Sequence, residues 1–291
     1  MNEKFEKIFI EITNFCGLDC SFCTPKKQAK VIMPIEEFEK IAQRISPYTN
    51  LCALHILGDP LSLKNLSQYL QIAQFYNLKL EITSSGFYLE DKIDLLLNTP
   101  CIHQINISLI SALYQNKVIN FEEYFQPILR LCNTHQKLKS EKFINLRLWN
   151  LDRNFNPPTL NTEIYNLLKR YFVFQNISVF KIRLNYKIFL HQARRFEWAN
   201  VDSTILHRKG FCYGGIKQLG ILCDGRVVPC CFDTRGDINL GNILEESLEK
   251  ILSKPRRKAL VQGFKNNELV ESLCQSCSYP EYLASNVPSK N

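Results

Sequence analysis

Cys16-Gly17-Leu18-Asp19-Cys20-Ser21-Phe22-Cys23 places three cysteines in eight residues, spaced CxxxCxxC, with an aromatic residue just before the last. The stretch before it, Lys7-Ile8-Phe9-Ile10-Glu11-Ile12-Thr13, is a short apolar-alternating run and reads as a strand. The thiols therefore sit on a loop leaving the C-terminal end of a strand, where α/β folds place their chemistry. Three closely spaced thiolates can hold a soft metal centre and leave one coordination position for something else. The next cysteine is Cys52, so nothing nearby closes the site. An open position is what a reactive centre needs and a structural one avoids. A zinc site completed from elsewhere, or three unrelated thiols, stay open as readings of these residues alone.

Composition narrows the setting. A chain of 291 residues with 45% hydrophobic content suits one large domain with a smaller appendage. No run is apolar for long enough to span a bilayer. The start, Met1-Asn2-Glu3-Lys4-Phe5-Glu6-Lys7, is mixed in charge and leads into a strand, unlike a signal peptide. Twelve cysteines without an export signal argue for metal ligation in a reducing cytoplasm rather than for disulfides. The net charge of +8 permits an anionic substrate or an RNA partner, and equally describes an ordinary solvated surface.

Strand and helix patterns alternate after the thiol loop. Strands are expected at 53–57, 79–83, 103–108, 142–149 and 178–184, with helices near 34–45, after Ser62, at 89–97, 121–138 and 160–171. Such alternation means parallel pairing with right-handed crossovers. Six units make an α/β fold, a partial (β/α)6 TIM-type barrel open at one side to admit a large substrate. Beyond residue 185 the alternation stops, and 186–211 reads as a bridging segment. It carries Arg194, Arg195, Phe196 and Trp198, a mixture that could line a substrate mouth, stack on bases, or merely anchor a linker. Arg147 lies in a strand pattern and could face the lumen or the outside.

A hairpin follows, 216–223 and 226–232 around Asp224-Gly225. Four cysteines of this region, Cys212, Cys230, Cys274 and Cys277, form a set: the hairpin offers ligands on a rigid ribbon and the CxxC knuckle two more. Four thiolates suit structural zinc as well as a closed iron–sulfur site. Cys52, Cys101, Cys132, Cys223 and Cys231 read as small core residues. Lys254, Arg256, Arg257 and Lys258 read as a solvated helix face, and 281–291 as a tail.

The thiol loop, with Phe22 before Cys23 and a strand before Cys16, is similar to the signature of the radical S-adenosylmethionine (SAM) family. The resemblance implies that Cys16, Cys20 and Cys23 bind a 4Fe–4S cluster whose fourth iron is chelated by SAM. Reductive cleavage of SAM would then yield a 5′-deoxyadenosyl radical that abstracts a hydrogen atom from the substrate. Leu57-Gly58-Asp59-Pro60 resembles the family's Gly-Gly-Glu-Pro element, with Leu for the first Gly and Asp for Glu. Ser84-Ser85-Gly86 resembles its Thr-Asn-Gly turn. By that resemblance Phe22, Gly58, Asp59, Pro60, Ser85, Ser108 and Asn150 are expected around SAM. The cysteines of the second set, with Asp224-Gly225-Arg226 and Gly241-Asn242-Ile243, resemble the twitch domain, the shortened SPASM extension. That implies one auxiliary 4Fe–4S cluster, fully ligated and closed to SAM, since Ser278–Asn291 holds no further cysteine.

The implied organisation is a radical SAM partial barrel over 1–185, a bridge over 186–211, a hairpin-plus-helix twitch domain over 212–280, and a tail. The expected activity is oxidation or cross-linking of a small molecule or peptide, assisted by the auxiliary cluster and fed by a reductant such as flavodoxin or ferredoxin. With no peptide-recognition domain before residue 7, a leader-peptide substrate is expected to need a separate carrier. RNA modification is the alternative, and a non-catalytic zinc-stabilised protein a third.

Overall fold

The computed structural model describes residues 4–24, 29–116, 118–174, 177, 180–195, 198–199 and 206–286. Within them the strands are β1 (Lys7–Ile10), β2 (Leu51–Ala53), β3 (Lys79–Ser84), β4 (Ile102–Ser108) and β5 (Phe143–Leu151), then β6 (Lys181–Asn185) and β7 (Ile188–Arg194). β8 (Gln218–Ile221), β9 (Arg226–Val228) and β10 (Gly241–Asn242) follow. The helices are α1 (Ile35–Ile45), α2 (Leu66–Phe75), α3 (Ile93–Asn98), α4 (Ile110–Leu113), α5 (Phe121–Lys137) and α6 (Asn161–Lys169), then α7 (Leu248–Ser253), α8 (Pro255–Lys265), α9 (Ser272–Gln275) and α10 (Tyr279–Asn286). No helix of the described residues is long and apolar enough to cross a membrane.

All the strands join one open sheet in the order β10-β9-β8-β1-β2-β3-β4-β5-β7-β6. From β8 through β1 to β7 the pairing is parallel. One face of each strand packs on the helices: Ile8, Ile10 and Ile12 join Phe38, Ile41 and Ile45 of α1 in the main core. α1 starts after Pro34, with Glu36 and Glu37 in its first turn, where the helix dipole favours acids. α5 is capped by Asn120, whose side chain accepts from the backbone N–H of Glu122 and Glu123.

Three expectations are corrected. The sixth parallel strand is β7, not the segment 178–184. Its residues 181–184 lie in β6, which pairs antiparallel with β7 as a half-exposed edge strand. The reason lies in the sequence: Ile188-Phe189-Leu190 is a continuous apolar run suited to a strand covered on both faces, whereas Lys181-Ile182-Arg183-Leu184 alternates. The turn between them needs Lys187 at φ 52°. Residues 188–194 thus belong to the sheet rather than to a bridge. β2 ends at Ala53, earlier than expected, although Leu54 still donates to the Glu81 carbonyl at 3.0 Å. Ser62 does not cap α2; it closes a short 3-10 turn, Pro60–Ser62, and donates to the Asp59 carbonyl at 2.7 Å.

The hairpin lies where expected, with Gly225 at φ +80° in its turn, but it does not stand apart. β8 pairs with β1 from Lys7↔Gln218 to Ile10↔Ile221, so the C-terminal region extends the sheet at the strand that leads to Cys16.

Candidate functional site

β1 delivers the chain into the thiol loop, and neighbouring elements clamp that loop at both ends. Cys23 N–H donates to the Cys20 carbonyl at 3.0 Å, and Tyr88 Oη to the Cys16 carbonyl at 2.9 Å. Gln115, just after α4, donates to Cys20 Sγ at 2.8 Å and accepts from Asp19 N–H at 3.2 Å. Phe22 packs edge-on against Tyr114 at 5.8 Å, and its carbonyl accepts from Trp198 Nε1 at 2.9 Å. Gly17, at φ +67°, lies under Tyr88, where a Cβ would meet Oη at 2.3 Å. The three thiols are each partly exposed on this loop.

The Gly58-Asp59-Pro60 loop locks onto the same loop from below. Asp59 N–H donates to the Phe15 carbonyl at 3.0 Å. A Cβ on Gly58 would lie 2.0 Å from the Thr13 carbonyl oxygen, a backbone atom that cannot swing away. Gly58→Ala is therefore expected to separate the two loops, at a cost on the order of 3 kcal/mol. Denaturant unfolding reads that cost directly; a midpoint equal to wild type would refute it.

The Asp59 side chain does something that the motif did not suggest. It is buried, and its carboxylate accepts from Leu61 N–H, Ser84 Oγ, Ser85 N–H and Ser85 Oγ at 2.6–3.0 Å. Burial pushes its carboxyl up, opposed by those donors. Hydrogen bonds to a charged group contribute about 1.5–3 kcal/mol each, enough together to hold a buried carboxylate. Asp59 thus ties the second loop to the end of β3, and the Ser85 hydroxyl is engaged there. Tyr124 Oη completes the junction by donating to the Ser85 carbonyl at 2.7 Å. Ser108 ends β4, paired in register with Arg147. Asn150 lies inside β5 rather than just after it, and its amide exchanges hydrogen bonds with Asn161 at 2.7 and 3.0 Å.

The second cysteine set also converges. Cys230 is held well above the usual thiol range, by burial first and then by the thiols of Cys231, Cys212, Cys274 and Cys277. Cys212 is pushed up by burial, and Cys277 to about 11 by burial and by Cys212. Backbone N–H groups already point at two of the sulfurs: Gly214 to Cys212 and Tyr279 to Cys277, both at 3.4 Å. Mutual repulsion among clustered thiolates is what a cationic iron–sulfur core would neutralise, and N–H donors to sulfur tune such clusters. Among the described residues no three His, Cys, Asp or Glu side chains are grouped as a single metal ion would need. Ligands of a four-iron cube each bind their own iron and stand further apart. Around the set, Cys212 packs with Leu260, Phe264 and Leu269.

Of the remaining cysteines, Cys52 and Cys132 are core residues, and Cys101 packs at the core's edge. Cys223 contacts Glu11 through its N–H and Sγ. Cys231 packs against Phe9, Ala53, Ile56, Leu222 and Val228. The basic cluster is not simply solvated. Arg257 is buried and donates to the Gly215 carbonyl at 2.8 Å, while Arg256 grips Glu271 with two bonds of 2.8 Å. Arg195 lies over Tyr114, Arg194 over Tyr282, and Trp198 against Phe232, so each has an aromatic neighbour in the chain. Phe196 lies outside the described residues.

A parallel sheet whose first strand opens into a three-thiol loop, extended by a hairpin carrying a four-thiol set, defines an iron–sulfur protein of the α/β class. Family models agree with both halves: the Radical SAM superfamily matches residues 10–147, and an iron–sulfur cluster-binding domain, SPASM, matches 212–278. The chain belongs to the radical SAM superfamily and carries a C-terminal SPASM-type domain. These domains imply a SAM-binding 4Fe–4S cluster, an auxiliary cluster and SAM itself.

Among curated proteins, the chain is 21% identical to the GTP 3′,8-cyclase of Aquifex aeolicus (strain VF5), over 88% of this chain and 91% of that protein. Its fold is similar to BtrN in complex with AdoMet and 2-DOIA, with TM-score 0.55 and 14% identity over 95% of this chain and 94% of that one. It is similar also to Streptococcus suis SuiB bound to the precursor peptide SuiA, with TM-score 0.58 and 13% identity over 94% of this chain and 70% of that one.

Proposed function

We propose that this radical SAM enzyme cleaves SAM reductively and abstracts a hydrogen atom from a small molecule or peptide held in the lumen of the open sheet, for oxidation or cross-linking. The observation that carries the reading is the pairing of β8 with β1, which puts the hairpin leading to Cys230 beside the strand that ends in the three-thiol loop. Cys16, Cys20 and Cys23 would hold the SAM-binding cluster, and Cys212, Cys230, Cys274 and Cys277 the auxiliary one. When bound, the first cluster with SAM supplies the 5′-deoxyadenosyl radical, and the second offers one-electron exchange.

The chain's own residues do the positioning. Tyr88, Gln115 and Trp198 hold the thiol loop; Phe22 and the Gly58-Asp59-Pro60 loop would frame SAM. Asp59 sets that loop against Ser85, Ser108 would meet SAM at the end of β4, and Asn150 would shape the wall through Asn161. A flavodoxin- or ferredoxin-type protein would supply electrons. The assignment of small-molecule or peptide substrates is supported by what the similar proteins are described as binding or making: 2-DOIA, SuiA and a GTP-derived cyclic product.

Anaerobically reconstituted protein with dithionite is expected to form 5′-deoxyadenosine from SAM, faster when its substrate is present. GTP, 2-DOIA and SuiA-type peptide are the first candidates to add. An oxidised product should appear with one SAM consumed and one 5′-deoxyadenosine formed per turnover. A product of unchanged oxidation state, or SAM regenerated each cycle, would exclude electron uptake by the auxiliary cluster. Absence of any 5′-deoxyadenosine from iron-replete protein would refute the reading as a whole.

A further inference from the structure

The lumen face of the sheet carries polar side chains whose partners are missing. Arg147 Nε, Trp149 Nε1, His55 Nδ1 and Glu11 Oε1 are all buried without a hydrogen-bond partner. Strand register explains how Arg147 and Trp149 come together. Arg147 of β5 is level with His191 of β7 and Ser108 of β4, and Trp149 is two residues further along the same face. The guanidinium lies 4.4 Å from the Trp149 ring centroid, and Trp149 packs edge-on to His191 at 5.6 Å. A planar cation laid on an indole is pre-oriented, with its edge left for a ligand.

The Arg147 charge is not paired by its neighbours. Glu81, the nearest carboxylate to act on Arg147, is taken by Lys7 at 2.6 Å. His55 is held down to about 3 by burial, then by Arg147 and Lys7, and His191 to about 4 by burial, then by Arg147 and Lys181. Both imidazoles are therefore neutral near pH 7, and neither opposes an incoming anion. Among the described residues no hydrogen bond or ion pair reaches the guanidinium.

Its position favours substrate over SAM. Arg147 stands on β5, four strands along the sheet from β1 and three from β2, the strands that lead to the 16–23 and 58–60 loops.

We propose that Arg147, laid on Trp149 and left without a partner, is the receptor for an oxyanion of the substrate, a phosphate or carboxylate group. The proposal rests on the lumen reading above and narrows it to anionic substrates. The neutral Trp149 N–H is a second donor for the same group, and charge-assisted fork contacts give it orientation.

Inorganic pyrophosphate is the probe, measured by equilibrium dialysis against the anaerobic holoenzyme. Wild type should bind it saturably, Arg147→Gln at least tenfold more weakly, and Arg147→Lys in between, because lysine keeps the charge but loses the fork. Equal binding by wild type and Arg147→Gln would overturn the proposal, whatever anion sites the basic surface adds. So would loss of SAM binding in Arg147→Gln, which would make the guanidinium part of the SAM site. If Arg147→Gln fails to retain iron, Arg147→Lys decides: threefold or greater weakening supports the receptor, and equality with wild type ends it. Neither result depends on 5′-deoxyadenosine formation, so failure here is distinct from failure of the radical SAM reading.

Discussion

Replacing Cys16, Cys20 and Cys23 together by alanine is expected to remove half of the bound iron and all cleavage of SAM. Wild type should carry about eight irons per chain after anaerobic reconstitution, as two four-iron clusters, and the triple variant about four. The effect should be complete because the loop has no substitute ligand. The nearest other cysteine in sequence, Cys52, is buried in the main core among Ile8 and Leu80. The fold should survive, since Tyr88, Gln115 and Trp198 hold the loop through its backbone. Iron and sulfide analysis with chromatographic assay of 5′-deoxyadenosine checks both parts. Continued 5′-deoxyadenosine formation by the triple variant would show that the SAM-binding cluster lies elsewhere.

The second large effect is expected from any one of Cys212, Cys230, Cys274 and Cys277. Each alanine substitution should cost the whole auxiliary cluster and lower the unfolding midpoint of the C-terminal region. The segment that carries Cys274 and Cys277 consists of two short helices and a turn, held to the rest by Leu273 in the core and by Arg256 on Glu271. Cys212, Leu260, Phe264 and Leu269 form the buried cluster beside it, at about 2 kcal/mol for each large apolar side chain. Against that stands about 1–2 kcal/mol of ordering for every backbone residue of the loop. Cluster binding closes the difference, because binding energy at such a site is folding energy. Cys230, in the field of all the others, should be the most damaging position. Cys223→Ala and Cys231→Ala are the controls and should leave iron unchanged, since Cys223 engages Glu11 and Cys231 packs against Phe9 and Val228. Iron loss in those two equal to that in Cys230→Ala would mean a different ligand set.

Much of this protein is legible from local pattern. The CxxxCxxC loop after an alternating strand, the Asp224-Gly225 hairpin and the apolar face of α1 are each set by neighbours a few residues apart. Their physics is short-ranged: strand alternation, turn conformation and helix period act within a turn or a strand. For the same reason both cysteine sets could be picked out before any contact between them was known.

What local pattern could not settle depended on partners far along the chain. Lys181–Asn185 and Ile188–Arg194 are both strand-like, and only the choice of neighbour makes β7 the parallel strand and β6 the edge. Asp59 looks like a turn residue until β3, some 25 positions on, brings Ser84 and Ser85 to its carboxylate. Arg257 looks solvated until the Gly215 carbonyl closes over it, 42 positions away. Arg147 could have pointed to either face of its strand, because a single alternating residue carries no sign. Ligand type and spacing are local, so the order of residues is enough to say which chemistry the chain can hold. Burial and pairing are properties of the packed whole, so where that chemistry faces and which charges go unpaired follow only from the fold.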